Sequence, residues 1–375
     1  MAFSLPSYAP PDFSASPLNA MPAARLAEAP RDGVAPDGYH GTSNHPEYVH
    51  LASGTWALVA ESRMDCVLVV RGTTVEAVEA RRLRKGDMVV LGRTENGEDG
   101  VYVHTTGFAP ATEKHTDKFA FRTRGTRETP FSRSYDFLYD LLRHDRDHGY
   151  IVWVLGPAVA FDKDSRDAMQ ALIEGGFCHA LLAGNALATH DLEAAVFRTG
   201  LGQDIYTQAP VPQGHYHHLD VLNTVRRLGS IRAAIGELKL ADGIMCACER
   251  KGVPYVLAGS IRDDGPLPEV MGDVYRAQDA MRAHARKATT VIAMATQLHS
   301  IAFGNMTPSY RVMEDGTVRP VHLYVVDVSE FSVDKLANRG TTQAVSIVTN
   351  VQDFVVNLRR SVVPAATRKS GPRAR

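Results

Sequence analysis

The chain has 375 residues, 44% hydrophobic and 22% charged, with a formal net charge of -1 and a pI near 7.0. That balance suits a globular protein of two or three domains and gives no field to draw nucleic acid or an anionic membrane, so a small-molecule substrate is the expected partner. Four scattered cysteines make no disulfide framework or C-x-x-C metal pair, and the first residues lack a signal-peptide pattern, so a cytoplasmic protein is expected.

Residues 1–46 contain eight of the twenty prolines, which deny the backbone regular hydrogen bonds and predict an extended or partly disordered arm. Residues 47–130 form a predicted small β domain: runs rich in Val and Thr (Cys66 to Val70, Met88 to Leu91, Val101 to His104) alternate with turn signals such as Lys85-Gly86-Asp87 and Asn96-Gly97.

At Ser134 the rhythm changes. Ser134 can cap a helix whose Phe137, Leu138, Leu141 and Leu142 recur at helical spacing. Tyr150 to Leu155 then reads as a strand buried on both faces. Further strands are predicted at 179–183, 253–258, 289–295 and 323–328, and helices at 165–174, 214–227, 268–286 and 342–359. Strands separated by helices of this length give an α/β fold: a doubly wound, mostly parallel, Rossmann-like sheet over 131–362, beside the smaller N-terminal β domain. Residues 363–375 read as a disordered basic tail.

In such a sheet ligands sit beyond the carboxyl ends of the strands. Those ends carry Gly156-Pro157-Ala158, the run Gly184 to Asp191, the run Gly259 to Pro266, the run Thr296 to Ser300, and Asp327. Each alone reads equally well as a turn or cap, with Asp191 and Asp264 as N-caps; five together point to a crevice. No G-x-G-x-x-G follows a strand, and the nearest match, Gly200-Leu201-Gly202, lies outside a strand-to-helix turn. Asp327 could hold a ribose diol or be a solvated strand end. His215, His217 and His218 form a tight cluster, but adjacent helical positions diverge and no second cluster completes a ligand set, so no metal is assigned. Cys246 and Cys248 read as packing or as a nucleophile.

The stretches IVWVLGPA, LLAGNALATHDLE, VPYVLAGSIRDDGPLPEV, AQDAMR and TQLHSIAFGN resemble the archaeal-type ornithine cyclodeaminases and the C-terminal domain of cyanobacterial arginine-degrading bifunctional enzymes, a group once labelled LOR/SDH-like. The resemblance runs from about 134 to 358. It departs at His217, where the family has Asn within GH-x-NHL, and at Cys246, where it has His; residues 1–125 match only faintly. The resemblance implies a tightly bound NAD without a standard glycine fingerprint, contacted by Asn185, Ala186, Asp264, Thr296, His299 and Asp327, and a homo-oligomer. It further implies conversion of ornithine, or a similar α,ω-diamino acid, to proline or a cyclic imino acid with release of ammonia through transient hydride transfer. A related NAD-dependent amino-acid oxidoreductase or lyase, or a non-catalytic NAD-binding protein, is the alternative. Such chemistry needs a carboxylate for an ammonium group and an acid for ammonia loss. Asp191, Glu193, Asp263 and Asp264 are of the first type, and His190, His215 and His218 of the second. The expected catalytic set is Asp263 and Asp264, a tandem pair able to hold an ammonium, with His218 and, ranked lower, Cys248.

Overall fold

The computed structural model describes residues 3–108, 132–263, 265–329 and 343–364. In the N-terminal part, strands β1 (Leu26–Glu28), β4 (Val67–Arg71), β5 (Thr74–Val78) and β6 (Met88–Val90) form an antiparallel sheet in the order β1-β6-β4-β5, and β2 (Glu47–His50), β3 (Trp56–Leu58) and β7 (Val101–Val103) form a second in the order β3-β2-β7. The proline-rich start is bound to this unit. Its proline-free stretch Leu26–Glu28 supplies backbone groups that pair with β6, and Ala24 N–H donates to the His50 carbonyl at 2.8 Å, so the arm expected over 1–46 is partly strand.

The larger unit opens with helix α1 (Ser132–His148). Then follow β8 (Ile151–Leu155), α2 (Lys163–Glu174), β9 (Ala180–Gly184), α3 (Asn185–Phe197) and a small hairpin of β10 (Thr199–Gly200) and β11 (Gln203–Asp204). Next come α4 (His217–Leu228), α5 (Ile231–Glu237), α6 (Ile244–Lys251), β12 (Tyr255–Ala258), β13 (Val270–Met271), α7 (Val274–Ala285), β14 (Thr290–Met294) and α8 (Gln297–Met306). A hairpin of β15 (Tyr310–Val312) and β16 (Val318–Pro320) precedes β17 (His322–Asp327), β18 (Gln343–Val348) and α9 (Val351–Val362). The central sheet has seven strands in the order β13-β12-β9-β8-β14-β17-β18, every pairing parallel.

Alternation within the strands builds the two faces. Ile151, Trp153 and Leu155 point into the layer carrying Leu138, Leu172, Leu187, Ile244 and Phe354. Val152 and Val154 point into the layer carrying Ala277, Met281 and Phe303. Full burial of such aliphatic side chains contributes about 1.5–3 kcal/mol each, which is why strands without polar alternation were readable as central.

Several elements differ from the sequence reading, and the helix expected over 268–286 begins only at Val274, where Asp273 caps it, while Val270 and Met271 form the edge strand β13. The expected helix over 342–359 is a strand followed by a helix: the β-branched residues Val345, Ile347 and Val348 extend the sheet, and Asn350 restarts the chain by accepting from the N–H groups of Gln352 and Asp353. Helix α3 was not anticipated because it is buried on nearly all sides, from Asn185 through Ala194, and therefore has no polar face to mark a helical period.

The two units meet through specific contacts. Arg63 donates to the Asn305 carbonyl at 2.7 Å, Arg81 to Asp279 at 2.7 Å, and the Tyr310 hydroxyl to the Val59 carbonyl. Glu79 receives Arg63 from its own unit and Arg282 from α7.

Candidate active site

Strands β8 and β14 lie side by side at the centre of the sheet, with connections leaving toward opposite edges. Their carboxyl ends form the switch-point crevice in which open α/β sheets bind ligands. The chain is closely packed there. Gly156 follows β8, and a Cβ on it would fall 1.8 Å from the Ala295 carbonyl oxygen; a Cβ on Gly184, at the end of β9, would lie 3.1 Å from His299 Cε1. Neither Gly184 nor Thr296, the residues capping α3 and α8, offers a side-chain acceptor to the helix behind it. By contrast α2, α5, α7 and α9 are capped by Asp162, Ser230, Asp273 and Asn350.

His299, on the first turn of α8, is half-buried. Burial pushes its imidazole below the ordinary range, and the carboxylate of Asp263 opposes that shift. Asp263 itself is folded into its own loop, accepting from the Ser260 N–H at 2.8 Å. The loop is moored by Asn185, whose Oδ1 accepts from the Leu267 N–H at 3.0 Å and the Thr189 hydroxyl at 3.3 Å. Ala186 follows Asn185 in the first turn of α3, and Asp327 ends β17, accepting from the Ser329 N–H at 2.9 Å. Asp264 lies outside the described residues.

A second group adjoins the crevice. The short turn of Pro157–Ala160 carries the chain from Gly156 to Phe161, whose ring meets the edge of His190 at 5.1 Å. His190 and Glu193 are one helical turn apart, and Glu193 accepts from His190 Nδ1 at 2.8 Å, from the Thr199 hydroxyl at 2.9 Å and from the Gly202 and Leu201 N–H groups at 3.1 and 3.3 Å. Burial alone would raise the Glu193 carboxyl; the His190 ring, the Gly202 N–H and the Thr199 hydroxyl together hold it below the usual carboxylate range. The Gly200-Leu201-Gly202 segment is thus a hairpin with positive φ at Leu201 and Gly202, whose amides hold an internal carboxylate. His218 stands with its ring 6.1 Å from that of His190, while His217 stacks on Phe197 at 4.4 Å and meets the Thr199 hydroxyl through Nδ1 at 2.8 Å.

Two candidates fall away. Cys248 is fully buried in the core on α6, away from any ligand, and burial pushes its thiol well above the ordinary range, against the thiolate; Cys246 on the same helix is pushed up to about 12. Asp191 is structural: fully buried, it accepts from Arg166 Nε at 2.7 Å and from the Ile244 and Met245 N–H groups at 2.9 and 2.8 Å, closing the start of α6. The His190–Glu193 pair, by contrast, was named in the sequence but not singled out. Its i,i+3 spacing is the signal, and it becomes legible only once α3 is known to be a helix.

Among the described residues no group of three or more His, Cys, Asp or Glu is placed to hold a metal ion, and no helix is long and apolar enough to cross a membrane. A wide cleft of about 1160 Å³ opens at the amino-terminal edge of the sheet, lined by Tyr8, Tyr48, His148, Tyr150 and Arg311. The carboxyl edge is the better candidate, because uncapped helix starts and ionisable groups converge there.

Comparison with known proteins places the chain in a family. The family model described as arginine dihydrolase ArgZ-like, C-terminal, Rossmann fold matches residues 138–358, and that of the first region of the same C-terminal part matches residues 46–126. An ornithine cyclodeaminase of Methanopyrus kandleri is 42% identical over 337 residues, spanning 89% of this chain and 77% of the relative. A solved conserved LOR/SDH protein from Methanococcus maripaludis superposes with a TM-score of 0.80 at 36% identity, covering 91% of this chain and 98% of that one. The ternary complex of AgrE with ornithine and NAD+ superposes with a TM-score of 0.57 at 32% identity, covering 92% of this chain and 46% of that one.

Proposed function

This chain belongs to the ArgZ-like C-terminal family, and we propose that it is an NAD-dependent cyclodeaminase converting ornithine, or a similar α,ω-diamino acid, to proline or a cyclic imino acid with release of ammonia. The observation that carries the reading is the switch-point crevice, where the starts of α3 and α8, free of side-chain caps, lie with His299 and Asp263. A relative of similar fold binds ornithine and NAD+ together.

The residues present fit a dinucleotide. The start of α3 behind Gly184 offers N–H groups without a side-chain cap, as a diphosphate requires. Asn185, Ala186, Thr296 and His299 would hold the diphosphate and nicotinamide portions, and Asp327 a ribose diol. When bound, NAD supplies reversible acceptance of a hydride. Asp263, with Asp264, would take the substrate ammonium, and Asn185 fixes the loop that carries Asp263. The half-buried His299 favours the neutral imidazole, which can accept a hydrogen bond without adding charge.

The test is direct: incubate the protein with ornithine and NAD and assay proline, ammonia and NADH absorbance. Proline and ammonia in equal amounts without accumulating NADH support the reading. NADH in proportion to product marks a net oxidoreductase instead, and NAD binding without turnover marks a non-catalytic binder.

A further inference from the structure

We propose that His190 donates the proton to the departing ammonia and that Glu193 is its positioning residue, an assignment that rests on the cyclodeaminase reading above. Glu193 is fully buried and takes four hydrogen bonds, from the His190 ring, the Thr199 hydroxyl and the Gly202 and Leu201 amides. A carboxylate only accepts, so His190 carries its hydrogen on Nδ1 in both protonation states, and Nε2 is the ring nitrogen left to exchange a proton with a ligand. The Thr199 hydroxyl spends its single hydrogen on Glu193 and therefore accepts from His217 Nδ1, which fixes that ring too.

His190 is placed to be reached. Its side chain keeps 11% exposure, while its partner keeps none. Around the ring stand Glu193 on its own helix and His218 on α4, and the turn after Gly156 contributes the apolar edge of Phe161; His217 meets the Thr199 hydroxyl that Glu193 shares. Among the described residues, Glu193 is the carboxylate that meets the ring.

The step balances without an oxidant. When the ω-amine has added to the α-imine of the substrate, the resulting carbon holds an exocyclic amine and the ring nitrogen. The imidazolium gives its Nε2 proton to the exocyclic amine. The bond from carbon to that nitrogen breaks with its electron pair leaving on ammonia, and the ring nitrogen's lone pair forms the C=N bond. The positive charge passes from histidine to the cyclic iminium, and His190 ends neutral.

Three proteins decide it: wild type, H190Q and E193Q, each first checked for a native melting transition. H190Q is expected to lose about 10²–10⁴ in kcat, the size of a general-acid contribution, with NAD affinity by calorimetry unchanged. E193Q keeps an acceptor for Nδ1–H but removes the charge, so the fall of kcat with rising pH moves to lower pH while KM for ornithine stays within about twofold. H190Q with wild-type kcat, or E193Q with an unshifted pH profile, overturns the assignment. Loss of NAD affinity in step with kcat overturns it as well, by making the pair structural. Wild type that binds NAD yet releases no ammonia from ornithine overturns the cyclodeaminase reading itself, and this inference with it.

Discussion

Gly156 and Ala295 meet backbone to backbone at the switch point, so closely that a Cβ on Gly156 would fall 1.8 Å from the Ala295 carbonyl oxygen. The contact is tied by the Gly156 N–H donating to the Met294 carbonyl at 2.8 Å, and Ala295 turns away with a positive φ of 53°. Here the glycine is required for close approach, since its own φ of -85° suits any residue. Gly156→Ala must part the ends of β8 and β14, and overpacking of this kind costs about 1–3 kcal/mol or more. A urea titration should show the midpoint falling at constant slope, and NAD affinity should fall with it. A variant with the wild-type midpoint would show that the strand ends separate freely.

Asp191 tests the division between scaffold and chemistry. Both it and Arg166 are almost wholly buried, and Arg166 is held charged, burial being outweighed by Asp191 and Asp242. Removing one partner of a buried pair leaves the other uncompensated and costs about 3–5 kcal/mol. Asp191→Ala is expected to lose that stability in denaturant unfolding while its remaining folded fraction keeps the wild-type turnover per active molecule. A stable but inactive Asp191→Ala would return this residue to the chemistry.

The central sheet was legible because Ile151 to Leu155 and Val291 to Met294 are apolar without interruption, a pattern that suits short strands buried on both faces. The crevice was legible from the same argument, since it lies where those strands end. What could not be read is where side chains spend their hydrogen bonds. Asp191 and Glu193 are two residues apart on α3, both fully buried carboxylates; one closes the start of α6, 53 residues away in sequence, and the other orients His190. Nothing local separates them. The same limit applied to Asn350, which reads as an interior position of a long helix until the strand before it finds its partner in β17.

His322 gives a pH dependence of stability with a definite sign. Its ring is buried beside Phe137, and burial first, with Arg319 adding and Asp145 opposing, lowers its pKa from 6.5 to about 4. The folded state binds the proton less readily than the unfolded chain. The stabilising contribution is therefore complete above about pH 6.5 and is lost as the pH falls toward 4. At 1.36 kcal/mol per unit the whole effect is roughly 3 kcal/mol. In His322→Phe, of similar size and without a titrating group, the decline in stability between pH 7 and pH 4 should be shallower by about that amount. Parallel curves for the two proteins would mean that the ring is protonated in the fold.

Asn185 separates loop mooring from ligand binding. Its Oδ1 holds the Leu267 N–H, and through it the loop from Ser260 that carries Asp263, while its own backbone opens α3 behind β9. Asn185→Ala leaves the Leu267 N–H buried without an acceptor, at a cost of about 1–3 kcal/mol, so both the melting temperature and NAD affinity should drop. Asn185→Asp keeps an oxygen in the same place and adds a negative charge at a helix start, where such a charge is favourable to the fold. The aspartate variant should therefore melt near the wild type. If the diphosphate of NAD lies against the start of α3, however, the added charge repels it, and calorimetry should show affinity falling about tenfold or more, by at least 1.4 kcal/mol, with a loss that shrinks as salt is raised. An aspartate variant that binds NAD as the wild type does would move the diphosphate away from α3 and leave Asn185 with its mooring role alone.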